Sequence, residues 1–68
     1  MNEEKDKAQI IKENIEATIM NAIQTEKAIN ETNDPKTRQQ LQAKNEGRAQ
    51  AIPSLIRDMK EAEALKQL

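Results

Sequence analysis

Ala8, Ile11, Ile15, Ile19, Ala22 and Ile29 recur at spacings of three, four or seven residues. That spacing places them on one face of a helix. Ile10, Met20 and Ile23 widen the stripe along its flanks, while Lys12, Glu13, Glu16 and Lys27 fall off it. The pattern predicts a long helix from about residue 3 to residue 30. Glu26 interrupts it, falling on the apolar line between Ala22 and Ile29. Glu3–Lys7 and Lys12–Glu16 are spaced to pair across one turn, each contributing a few tenths of a kcal/mol.

The stretch Glu31-Thr32-Asn33-Asp34 breaks the pattern, and Pro35 follows it. Aspartate is a favoured N-cap because its carboxylate accepts from free amides of the next turn. Proline suits the first helical position, where no amide hydrogen is needed. Asn33 tolerates the left-handed conformation that often ends a helix. A turn over residues 31–34 is therefore expected, with a second helix opening at Pro35.

Leu41, Ile52, Leu55, Ile56, Met59, Ala62 and Leu65 supply the stripe of that second helix, to about residue 66. Asn45 and Arg48 stand on the same line between Leu41 and Ile52, so part of this seam is polar. Pro53 removes one helical hydrogen bond and crowds the carbonyl four residues back, at about 3 kcal/mol or more. Gly47 adds roughly 1 kcal/mol. The segment reads either as one helix kinked near Pro53 or as two helices broken there. The kinked helix is preferred, because Ile52 has no side-chain acceptor with which to cap a new one. A short connection makes the two long helices antiparallel neighbours. The fold class expected is all-α, an antiparallel helical hairpin forming a single domain over residues 1–68.

Composition agrees. The 68 residues include no Phe, Trp, Tyr, Val or Cys and a single Gly. Strands favour β-branched and aromatic side chains, whereas most of the abundant types here are good helix formers. Eleven basic against twelve acidic residues give a net charge of −1. Binding through DNA phosphates needs a basic excess on one face, and no aromatic is present to stack on a base. No specific nucleic acid is expected as a partner. The acidic, polar opening Met1-Asn2-Glu3-Glu4-Lys5-Asp6 does not read as a signal peptide. No apolar run approaches membrane-spanning length. These features lead to an expectation of an intracellular, cytoplasmic protein with no membrane partner.

Catalytic parts are scarce. Without His or Cys the chain lacks the commonest general base, thiolate nucleophile and imidazole metal ligand. Ser54 is the sole serine and has no histidine to activate it. Glu13–Glu16 and Asp58–Glu61 have helical spacing but read as solvated faces, and one glycine cannot build a phosphate loop. Neither an enzyme, nor a cofactor, nor a metal is expected.

Lys44, Asn45 and Arg48 form the most distinctive polar group. As a recognition patch, Asn45 and Arg48 would offer donors to a partner. The alternative is a half-buried polar pair that sets helix register, as a lone Asn does in coiled coils. Arg48 could then lay its methylenes over the seam and bring its guanidinium to Glu26. The second reading is preferred.

Three segments carry a family resemblance. They are Asn14-Ile15-Glu16-Ala17-Thr18-Ile19-Met20-Asn21, then Leu41-Gln42-Ala43-Lys44-Asn45-Glu46-Gly47-Arg48-Ala49-Gln50-Ala51-Ile52, then Arg57-Asp58-Met59-Lys60-Glu61-Ala62. With the acidic turn between the first two, they resemble the small acid-soluble spore protein Tlp family of endospore-forming Firmicutes. Gly47 stands where that family usually has an arginine, and Pro53 falls where it has continuous helix. The resemblance implies a small non-catalytic protein made in the forespore and stored in the spore core. A redox role, which the family's name suggests, is closed to a chain without cysteine. The competing reading is a regulatory or adaptor hairpin that binds a partner protein.

Two helices alone leave much of each stripe wet, and small domains without disulfides or metals usually add a second subunit. A homodimer is therefore expected, two hairpins forming a four-helix bundle with Ile11, Ile15, Ile19 and Ile23 at its centre.

Overall fold

A computed structural model describes residues 6–67. Two helices follow one another, α1 (Lys7–Glu31) and α2 (Pro35–Lys66). They pack side by side as an antiparallel hairpin. Its Cα radius of gyration is 15.9 Å, against about 11 Å for a compact chain of this length. The molecule is a slab of 52 × 25 × 12 Å, one helix thick.

Each helix starts on an aspartate. Asp6 caps α1, its Oδ1 accepting from the Gln9 amide at 2.8 Å. The helix start expected at residue 3, and the Glu3–Lys7 pair, lie partly outside the described residues. Asp34 caps α2, with Pro35 behind it. Its Oδ2 accepts from the Thr37 hydroxyl at 2.6 Å and from the Thr37 amide at 3.3 Å.

The end of α1 differs from expectation. No residue described has a positive φ, so Asn33 does not close the helix in a left-handed conformation. Thr32 ends it in extended backbone, its amide donating to the Ala28 carbonyl at 3.0 Å. Thr32 then organises the turn from both sides. Its hydroxyl accepts from the Asp34 amide at 3.2 Å, and its carbonyl accepts from Arg38 Nη2 at 2.9 Å. With the turn held by side chains, no left-handed residue is required.

α2 runs unbroken through Pro53. Pro53 is exposed, so its ring meets solvent rather than the neighbouring helix. The reading with two helices broken at Pro53 is excluded. Gly47 is also exposed, with no atom within 4 Å of where a Cβ would stand.

The seam follows a strict alternation of three and four. On α1 it comprises Ala8, Ile11, Ile15, Thr18, Ala22, Thr25, Ile29 and the capping Thr32, all buried or half-buried. On α2 it comprises Leu41, Asn45, Arg48, Ile52, Leu55, Met59 and Ala62. This is the heptad spacing that keeps one stripe facing a partner helix. The full row corrects the sequence reading, which centred Ile19 on the stripe and passed over Thr18 and Thr25. Thr18 can face inward because its hydroxyl donates back to the Asn14 carbonyl at 2.7 Å, which leaves its methyl group to pack. Leu65, assigned to the second stripe, is 67% exposed, beyond the end of the seam.

Burial is shallow. Among the described residues only Ala8, Ile15 and Ile29 are buried, all of them on α1. Lys66 Nζ lies 3.3 Å from Asp6 Oδ2, tying the last turn of α2 to the first cap at the open end of the hairpin.

Candidate functional site: a polar cluster in the seam

Asn45 and Arg48 lie one turn apart on the inner row of α2, which aims both at α1. The Asn45 amide nitrogen donates to the main-chain carbonyl of Ala22 at 3.0 Å. A carbonyl oxygen has two lone pairs, so it can accept this bond beside its helical one. Arg48 Nη1 donates to Asn45 Oδ1 at 2.8 Å and to Thr25 Oγ1 at 2.9 Å. Four consecutive positions of the seam, Ala22 and Thr25 opposite Asn45 and Arg48, thus form one bonded unit.

Its chemistry is that of register. All four residues are half-buried, and a shift by one turn would break both bonds that cross between the helices. Among the described residues no buried side-chain polar atom lacks a partner. The expected meeting of Arg48 with Glu26 does not occur. Thr25 and Asn45 take the guanidinium, while Glu26 is exposed at the edge of a groove beside the seam. Lys44, grouped with Asn45 and Arg48 from the sequence, is exposed and makes no part of the cluster. Thr25 is the member that sequence reasoning missed, since a threonine at helical spacing reads as surface until its hydroxyl acquires a donor.

The four isoleucines expected to share one oligomer seam are divided between two places. Ile15 is buried and Ile11 half-buried against α2, whereas Ile19 and Ile23 are 41% and 58% exposed.

The described residues contain no group of three or more acidic side chains placed to hold a metal ion. Ser54 Oγ accepts from Arg57 Nη2 at 3.3 Å, and an arginine, permanently protonated, is no general base. No described helix is long and apolar enough to cross a membrane.

These features define a small helical-hairpin protein whose polar centre is hydrogen-bonded within the seam. The sequence model of the family described as small, acid-soluble spore protein Tlp matches residues 2–67, and the chain belongs to that family. Comparison with curated proteins and with solved structures found no match.

Proposed function

We propose that the chain is a non-catalytic protein of the spore core, laid down in the forespore and held there as a folded helical hairpin. The observation that carries this reading is the family match over residues 2–67. Two features of the chain support the non-catalytic part. It has neither His nor Cys, and Asn45 and Arg48 of its polar cluster are bonded within the hairpin.

Timing and place of accumulation test the proposal. An antibody or a fluorescent fusion should find the protein only after the forespore is engulfed, and a core extract should contain it after the coat is stripped. Accumulation in growing cells would overturn the reading and favour an adaptor that serves a vegetative partner. Recovery in the coat fraction would remove the core assignment.

A further inference from the structure

The slab has two broad faces, and the heptad register makes them unlike. On one face the seam is flanked by Asn14, Asn21 and Ala28 of α1 and by Lys44, Ala51, Asp58 and, at the open end, Leu65 of α2. On the other it is flanked by Ile19 and Ile23 of α1 and by Ala49 and Ile56 of α2. A groove of about 350 Å³ opens on this second face, lined by Ile19, Ala22, Ile23, Glu26, Asn45, Ala49 and Ile52. A second groove of about 410 Å³ continues it toward the turn, past Glu26, Gln42 and Glu46. Apolar side chains at the centre and charged ones at the ends have the layout of a protein interface rather than of a solvated surface.

We infer that this face is covered by a second copy of the chain, reversed end to end about a two-fold axis passing near Ile23 and Ala49. Self-association follows from shape, size and charge together. The groove is shallow and open, suited to another helix layer rather than to a small molecule. A stable interface takes about 800 Å² from each partner, and a face of 52 × 25 Å supplies that with roughly two thirds of its area engaged. Ala49, small and central, lets the helices of the second copy approach closely.

Charge selects the orientation. Toward the turn this face carries Glu26 and Glu46, whereas toward the open end it carries Lys12 and Lys60 with Glu16 and Glu63. Stacking two hairpins turn to turn would set acidic half on acidic half. Reversing one sets the acidic half of each against the mixed half of the other, the less repulsive arrangement. The result is a four-helix bundle whose centre is Ile19, Ile23, Ala49 and Ile52. Ile11 and Ile15 stay within each hairpin.

The inference is independent of any spore role, and full-length protein tests it. Sedimentation across a hundredfold dilution should show a dimer that dissociates, with a melting temperature that falls on dilution. Ile19→Lys with Ile23→Lys should abolish the dimer, while Met20→Lys, on the outer surface of α1, should leave it intact. Ala49→Cys, in a chain with no other cysteine, should form a disulfide-linked dimer on mild oxidation. Met20→Cys should do so at least tenfold more slowly. A wild-type monomer at every concentration, with an unchanging melting temperature, would overturn the proposal and leave the face to a different protein. A dimer that survives both lysines, or equal cross-linking at 49 and 20, would place the interface elsewhere.

Discussion

Asn45 reaches across the hairpin to the main-chain carbonyl of Ala22, with its side-chain oxygen held at 2.8 Å by Arg48 of its own helix. Main-chain carbonyls recur at every turn of α1, so the alignment is read by Arg48, which needs the Thr25 hydroxyl opposite it. The two helices are thereby locked in one alignment at the middle of their length, where the apolar seam is interrupted. A polar residue in such a row costs stability relative to leucine and in exchange disfavours other registers.

Truncating either member of this pair should destabilise the fold. Asn45→Ala and Arg48→Ala each remove hydrogen bonds from a half-buried site, at about 1 kcal/mol apiece. Because they share a bond, the double variant should cost less than the sum, with a coupling of about 0.5 kcal/mol or more. Chemical denaturation of the four proteins measures the coupling, and strict additivity would show that the two act independently.

Gly47 is a site for stabilisation. It lies within α2, has no positive φ, and would meet nothing with a new Cβ. Gly47→Ala should raise stability by about 0.5–1 kcal/mol through reduced freedom of the unfolded chain. A lower melting temperature would reveal a close neighbour at this position in the assembled protein.

Pro53 is the larger local cost. It denies the Ala49 carbonyl its helical donor while its ring is exposed. Pro53→Ala should increase helicity and raise stability by up to about 3 kcal/mol. Circular dichroism with thermal melts reads both quantities. A loss of stability would mean that a bend at Pro53 is needed to wrap α2 on its partners.

The aspartate caps should make the fold acid-sensitive. The Thr37 hydroxyl holds the Asp34 carboxyl below its ordinary value of 3.8. The Gln9 amide, followed by Lys66, does the same for Asp6. A carboxylate depressed in the folded state stabilises above its unfolded pKa, and that stability is lost as pH falls through the folded value. Melting temperature should therefore decline below about pH 4 on account of these groups. Asp6→Asn with Asp34→Asn keeps a capping acceptor at each site but should flatten the decline. Equal acid sensitivity in wild type and variant would assign it to other carboxylates.

The two helices and the residues that open the second were legible in the sequence because their causes are local. Helix propensity, a three-and-four spacing of apolar residues, and an Asp-Pro pair act within one or two turns. Asn45 and Arg48 were legible for the same reason, as polar residues interrupting a stripe. What only the tertiary structure decided is which edge of each stripe turns inward. The apolar face of α1 is wider than the seam, so Ile19 and Ile23 competed with Thr18 and Thr25 for the inner row. Hydrophobicity alone favours the isoleucines. The threonines prevail in the fold because the Thr18 hydroxyl bonds back to Asn14 and the Thr25 hydroxyl receives Arg48 from the other helix. The second of these partners exists only once the two helices are aligned, so no reading of one helix by itself could have found it.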